Sequence, residues 1–423
     1  MSIKVRLTVL YFLLFAIWGA YLTSMGAYLA SVGLAANIGW FYSVQGFVSL
    51  CMPALMGIVA DRWVQAQRLL SLCHTLSGLF MLATCSYGYM AGDAVEFGIL
   101  FPLFASSIAF FMPTLALTAS VTYNALDRAG LDKVKAFPRI RVWGTVGFIL
   151  SMWIVDLAGL QRTALQFGWS ALLSLVTAAY ALSLPACPTS GRSRNKGMIE
   201  ALGLRAFTLF RQRRMAIFFL FSMLTGVCLQ ITNGFANPFI SSFRNIEQYA
   251  GTFGVEHTNI LISLSQMSET ACFLLIPFCL SRLGIKRVML IAMLAWVLRF
   301  AFFAMGNPGS GLWLFILSML VYGIAFDFFN ISGSLFVDRE TDQGIRSSAQ
   351  GLFLMMTNGF GATVGTLSAQ AIINKYVYHA GQSAGPMDIW AGWTTCWYIF
   401  AAYALVVAIA FSLLFHYKKP DAP

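Results

Sequence analysis

The feature that most constrains this chain is a succession of long apolar segments, each about long enough to cross a bilayer. Only 10% of its 423 residues are charged, whereas soluble domains carry about 25%. Short alternating strands, the pattern of outer-membrane barrels, do not occur. We therefore predict an all-α integral membrane protein. Twelve transmembrane helices are expected, at about residues 7–29, 38–60, 69–90, 97–122, 139–160, 164–184, 215–243, 257–281, 286–305, 311–337, 346–374 and 389–416.

Lysine and arginine lie almost entirely in alternate loops. One side of the predicted membrane carries 22 of the 27 basic residues, and the other carries Arg162, Arg244 and Lys375. Basic loops face the cytoplasm, so both termini are expected there. The net charge of +11 follows from this topology, and nucleic-acid binding is not expected.

A basic stretch divides the predicted helices six and six. We expect an N-terminal six-helix bundle at 1–184, a cytoplasmic linker at 185–214 and a C-terminal six-helix bundle at 215–423. Parallel repeats of this kind are typical of the major facilitator fold. Gly57, Asp61 and Arg62 match the GxxxD(R/K) loop motif of that superfamily, which predicts a conformational latch. The alternative is an ordinary basic hairpin, and Ser281–Arg287 is a weaker second copy.

Function is expected among the polar groups inside the spans, because such groups are costly in lipid and usually face a cavity. Several share one helical face at i, i+3 or i, i+4 spacing. Two acidic residues are expected deep within the spans, Glu269 and Asp327. The candidate residues are Arg141, Thr145, Phe148, Gln230, Asn233, Gln266, Glu269, Arg299, Tyr322, Phe326 and Asp327.

These side chains suit a neutral ring molecule that bears hydroxyl or amide groups. Amides pair with a base edge, aromatic rings stack on bases, and carboxylates or arginine bind hydroxyls. Sugars would accept nearly the same set. Each amide also has a structural alternative, an interhelical hydrogen bond of about 0.6 kcal/mol. For Asp327 the main structural alternative is a static ion pair with Arg299.

Other chemistry finds little support in the sequence. The four histidines are scattered and the eight cysteines form no CxxC pair, so no metal site or cofactor is expected. A Walker loop and a Gly-x-Ser-x-Gly elbow are both absent, so no enzyme activity is expected. A membrane receptor is a further alternative, but the large soluble domain of such a protein is missing.

Five longer motifs carry a resemblance to a known family. They are residues 137–148, 229–233, 265–270, 325–333 and 349–361. They resemble the bacterial nucleoside:proton symporters, a branch of the major facilitator superfamily, and the resemblance covers essentially the whole chain. It implies import of nucleosides such as uridine and adenosine across the bacterial inner membrane, driven by protons. A proton-coupled sugar importer on the same fold is the alternative, and a monomer is expected.

The resemblance also implies roles for individual residues. It places Arg141, Thr145, Phe148, Gln230, Asn233, Gln266, Glu269, Tyr322, Phe326 and Asp327 around a central substrate site. A neutral nucleoside gains nothing from the membrane potential unless it travels with a charge. On its helix Asp327 lies about 140° from Tyr322, so it is predicted to point toward Arg299 and to carry the proton. Glu269 is assigned chiefly to substrate, and is the second candidate for proton coupling.

Overall fold

The computed structural model describes residues 2–187, 204–342, 345–378 and 385–417, excepting the side chains of residues 54, 58, 61, 62, 133–135 and 347. The described residues form helices and connecting turns without a β-strand. The helices are α1 Ile3–Gly19, α2 Met25–Ser31, α3 Ile38–Arg62, α4 Ala66–Ala91, α5 Phe97–Arg128, α6 Lys133–Leu157, α7 Leu165–Leu182, α8 Arg213–Ser242, α9 Phe253–Glu256, α10 Thr258–Leu283, α11 Ile285–Met305, α12 Leu312–Glu340, α13 Arg346–Leu354, α14 Ala362–Ile373 and α15 Pro386–Leu414.

Within the described residues, ten helices are individually long and apolar enough to cross a membrane. The first predicted span is instead divided into α1 and α2 by a turn at residues 20–24, which corrects the continuous helix expected over 7–29. The eleventh is continuous from Arg346 to Tyr378, but π-helical segments at Met355–Gly361 and Asn374–Tyr378 interrupt its α-helical hydrogen bonding. With these two composite spans, the described part of the chain contains twelve.

The chain forms two compact units, residues 1–202 and 203–423, and both use the same helix pairings. In the N-terminal unit, α1 packs on α6, α3 on α5, and α4 on both α5 and α7. In the C-terminal unit, α8 packs on the first π-helical segment and α14, α10 on α12, and α11 on both α12 and α15. Each pairing thus joins spans at equivalent positions in the two units, as expected for a parallel repeat.

Glycines bring the first and fifth spans of each unit into backbone contact. A Cβ on Gly147 of α6 would overlap the Phe12 carbonyl oxygen of α1. In the C-terminal unit a Cβ on Gly226 of α8 would likewise overlap the Thr357 carbonyl oxygen in the π-helical segment. Small residues allow such close approach, which drives association where lipid removes the hydrophobic contribution. These contacts fix the helices that carry several of the candidate polar residues.

Candidate functional site

The candidate site includes an aromatic shelf on α12, formed by Tyr322 and Phe326. The two residues are four apart and therefore share a helical face. Their rings stack with centroids 5.7 Å apart and an interplanar angle of 9°. Trp296 of α11 packs edge-on against Tyr322, with a centroid separation of 6.0 Å. Tyr322 is only 5% exposed and Phe326 is half-buried, so Phe326 is the ring of the shelf on which a planar ligand could stack.

Arg299 of α11 supports the shelf. Its guanidinium carbon lies 4.7 Å from the Tyr322 ring centroid. One guanidinium nitrogen donates to the Ser318 carbonyl at 2.6 Å and lies 3.4 Å from the Ser265 hydroxyl. The Ser318 hydroxyl donates in return to the Arg299 carbonyl at 3.0 Å. Arg299 is thus held by a backbone carbonyl, a hydroxyl and the Tyr322 ring, and its ion pair with Asp327 stays a prediction.

Two carboxylates converge on the Tyr322 hydroxyl. The charges of Glu269 on α10 and Asp327 on α12 both act on that hydroxyl, and the Gln266 side chain lies beside it. Asp327 also acts on the thiol of Cys272 on α10 and is only 6% exposed, whereas Glu269 is half-buried. The prediction that Gln266 and Glu269 share one face is consistent with this arrangement. The more accessible carboxylate is therefore Glu269.

A glycine in α12 sets how closely α10 approaches the shelf. A Cβ on Gly323 would lie 2.5 Å from the Ser268 carbonyl oxygen and 2.8 Å from the Glu269 backbone nitrogen. The Ser268 hydroxyl donates across the same interface to the Leu320 carbonyl. This backbone contact is what brings Gln266 and Glu269 against Tyr322, because both side chains project from the segment of α10 that meets Gly323.

The predicted amide pair lies on α8. Gln230 and Asn233 are half-buried, and the Asn233 amide donates to the Gln230 side-chain oxygen at 3.5 Å. The neighbouring Leu229 lines a small cavity of about 10 Å³ together with Phe326 and Asn358. The cavity places the α8 segment that carries the amides next to the shelf. Asn358, which sequence reasoning did not single out, lies inside the π-helical segment.

In the N-terminal unit, three predicted residues occupy one stretch of α6. The Arg141 guanidinium carbon lies 4.0 Å from the centroid of Phe15 on α1, and its charge acts on the Tyr11 hydroxyl. Thr145 is half-buried and Phe148 is 6% exposed. Arg141 is therefore held by an aromatic face, a cation–π contact of about 0.5 to 2 kcal/mol, with its side chain still partly accessible.

Asp156 of α6 is a further buried acidic residue, with 4% of its surface exposed. It lies next to Leu157, where α6 ends, so Glu269 and Asp327 remain the two acidic residues predicted deep within the spans. In the predicted latch, α3 ends at Arg62 and the site of Gly57 is open, while the side chains of Asp61 and Arg62 lie outside the described residues.

Comparison with known proteins gives a consistent result. A family model described as "Nucleoside H+ symporter" matches residues 1–420. The chain is 46% identical to the nucleoside permease NupG of Escherichia coli K12, over 100% of this chain and 98% of the relative. It is 45% identical to the xanthosine permease of the same organism, over 99% and 97%. A crystal structure of the nucleoside transporter NupG matches with a TM-score of 0.88 at 44% identity, over 99% and 100%.

Fold and site together define a twelve-helix secondary transporter of the major facilitator type, and not an enzyme. Within that class, the chain belongs to the nucleoside:proton symporter family. It is thus a multi-pass membrane protein that moves nucleosides together with protons. This confirms the resemblance found in the sequence.

Proposed function

We propose that this protein imports nucleosides and that the aromatic shelf stacks the base. The observation that carries the proposal is the convergence of Gln266, Glu269 and the stacked Tyr322–Phe326 pair at the α10–α12 contact. Stacking is worth about 1 to 3 kcal/mol per base and tolerates both purines and pyrimidines. A broad nucleoside preference follows, in which the shelf binds any base and the polar groups select for nucleosides.

The hydrogen-bonding side chains fall into two kinds, one suited to the base and the other to the ribose. The amides Gln230, Asn233 and Gln266 offer both donors and acceptors and suit a base edge. Glu269 accepts only, which suits ribose hydroxyls. A sugar importer would use the same polar groups but has less need of two parallel rings. The Tyr322–Phe326 stack therefore favours nucleosides over the sugar alternative.

In the N-terminal unit we assign Arg141, Thr145 and Phe148 to substrate contact as well. The Arg141 side chain is partly accessible. The ring of Phe15 covers its guanidinium on one side. Thr145 lies one turn further along α6 and adds a hydroxyl. These three residues add a cation, a hydroxyl and an aromatic ring to the groups that we assign to substrate contact.

For proton coupling we assign Asp327 as the carrier and Glu269 as the second candidate. A buried carboxylate is costly when ionised, and Asp327 is the more buried of the two. Because both carboxylates act on the Tyr322 hydroxyl, the charge of one raises the cost of ionising the other. Binding of substrate to Glu269 and Tyr322 then changes the proton affinity of Asp327. Arg299 has a supporting role, since it holds the Tyr322 ring.

We infer from the basic loops that both termini face the cytoplasm, and we expect the protein in the bacterial inner membrane. The two permeases that resemble it at 46% and 45% identity do not separate a general nucleoside preference from one for xanthosine. Preference among nucleosides therefore needs measurement, and we expect uridine and adenosine among the substrates. A monomer is the expected transporting unit.

Uptake in cells that lack other nucleoside carriers tests this function. Radiolabelled uridine, adenosine and xanthosine are supplied beside a panel of sugars, with and without a protonophore. We expect nucleoside accumulation that the protonophore abolishes and that sugars do not inhibit. Accumulation of a sugar, or nucleoside accumulation that survives loss of the proton gradient, would contradict the proposal.

A further inference from the structure

A cavity lies at the hairpin between α10 and α11, and none of the residues assigned to nucleoside or proton binding lines it. Its volume is about 770 Å³. Four cationic residues line it, Arg282, Lys286 and Arg287 from the hairpin and Arg339 near the end of α12. Tyr417, after α15, completes the wall. We call this cavity the hairpin pocket.

The positive charge of the hairpin pocket is not balanced by its lining, which contains no acidic residue. The two acids that flank Arg339 are engaged elsewhere. Asp338 pairs with Arg346 at 3.1 Å, and Glu340 pairs with Arg214 at 3.0 Å. Clustered cations repel one another unless an anion lies among them. The pocket is therefore electrostatically suited to an anionic ligand.

The backbone adds to this preference. Gly284 joins the two helices with a φ of 77°, a conformation that glycine adopts readily. No atom lies within 4 Å of the position that a Cβ would occupy there, so the hairpin backbone is open toward the pocket. The first N–H groups of α11 have no partner within the helix and carry partial positive charge. The helix start thus supplements the four cationic side chains.

An apolar wall continues from the cationic rim. Leu280, Leu283 and Leu335 line the pocket, and Leu283 and Leu335 are 38% and 37% exposed. Phe278, one turn below on α10, is 56% exposed. The Arg282 guanidinium carbon lies 4.4 Å from the centroid of the Phe278 ring, at the boundary between the charged and apolar parts. A ligand that filled both parts would have an anionic head and an apolar tail.

We propose that the hairpin pocket binds an anionic phospholipid. Its phosphate is held by Arg282, Arg287 and Arg339, and its acyl chains lie along Phe278, Leu283 and Leu335. Both α10 and α11 are long enough to span a membrane, so their connection lies at the level of the headgroups. Basic pockets between transmembrane helices bind such headgroups. Free phosphate would satisfy the cations but leave the apolar wall exposed, so the lipid is the better match.

Lipid binding to the purified full-length protein in neutral detergent tests the proposal. Native mass spectrometry would titrate phosphatidylglycerol, phosphatidylcholine with the same acyl chains, and inorganic phosphate. The pocket variant combines Arg282→Gln, Arg287→Gln and Arg339→Gln. Its matched control combines Arg68→Gln, Arg211→Gln and Arg213→Gln, which removes the same charge from exposed sites outside the pocket. A third variant, Leu335→Trp, narrows the apolar part of the hairpin pocket and keeps every charge.

We expect the protein to bind one phosphatidylglycerol in preference to phosphatidylcholine. The pocket variant should bind it at least about twentyfold more weakly, Leu335→Trp should also weaken it, and the control should not. Equal loss in the pocket variant and the control would overturn the site in favour of diffuse surface attraction. Phosphate that binds as tightly as the lipid would overturn the lipid as occupant. Thermal unfolding and uridine uptake near wild-type values establish that each variant is folded.

Discussion

Replacement of Gly323 by alanine tests whether the contact between α10 and α12 sets the geometry of the nucleoside site. The added Cβ would lie 2.5 Å from the Ser268 carbonyl oxygen and 2.8 Å from the Glu269 nitrogen. Ordinary non-bonded contacts are about 3.5 to 4.0 Å. Because the obstructing atoms belong to the backbone, no side chain can turn aside. The two helices must separate by about 1 Å.

Gln266 and Glu269 move with α10 when the helices separate. A hydrogen bond stretched by about 1 Å is effectively lost, and a hydrogen bond to a charged group contributes about 1.5 to 3 kcal/mol. We therefore expect Gly323→Ala to weaken uridine binding by about 10- to 100-fold. The overpacked interface should also lower the free energy of unfolding by about 1 to 3 kcal/mol.

Equilibrium binding of radiolabelled uridine to the purified protein measures the first effect, and thermal unfolding measures the second. Gly351→Ala is the matched control, because Gly351 is an exposed residue of α13 with nothing within 4 Å of its Cβ position. It should leave uridine binding unchanged and should not lower the free energy of unfolding, because alanine is more favourable than glycine in a helix. If Gly323→Ala bound uridine with the wild-type Kd, the close approach of α10 would not be needed for the site.

Three further predictions concern the polar groups. Gln266→Ala and Asn233→Ala should each weaken uridine binding about tenfold while immunoblots show a normal amount of protein in the membrane, and wild-type affinity in both would exclude these amides as contacts. Asp327→Asn should still exchange nucleoside across proteoliposomes but lose accumulation driven by a pH gradient, and an unaltered pH profile would make Glu269 the carrier instead. Arg299→Met should lower the free energy of unfolding by about 1 to 3 kcal/mol because the Ser318 carbonyl loses its donor, with a smaller loss in Arg299→Lys, and unchanged thermal unfolding in both would show that the guanidinium does not support the shelf.

Most of the helices could be predicted from the sequence, because a helix that crosses the bilayer must be about as long as the bilayer is thick. The span predicted at 38–60 is found as Ile38–Arg62, and that at 286–305 as Ile285–Met305. The break between α1 and α2 was not predicted, because Ala20 to Ser24 are apolar or small and interrupt no hydropathy run. Hydropathy reports how apolar a segment is and does not report where its helical hydrogen bonds stop.

The candidate site, too, could be predicted from the sequence only in part. Helical spacing correctly placed Tyr322 and Phe326 on one face, since such a pair depends on a single helix. The surroundings of Arg299 depend on how α11 meets α12, and periodicity within one helix carries no information about its neighbour. Trp296 and Gly323 were missed for that reason: one packs behind the shelf and the other determines the separation of two helices. Both act through a partner helix.

The π-helical segment Met355–Gly361 changes which side chains share a helical face along its span. A π-turn accommodates one residue more than an α-turn, which advances every later side chain by about 100° relative to an uninterrupted α-helix. Gly361 and Gly365, at and beyond the end of the segment, face the backbone of α8. A helical wheel drawn through residues 346–378 as one α-helix would misplace the side chains of the later part of the span by about 100°. Loss of one residue from the segment would leave a continuous α-helix whose later residues keep the faces that they have now.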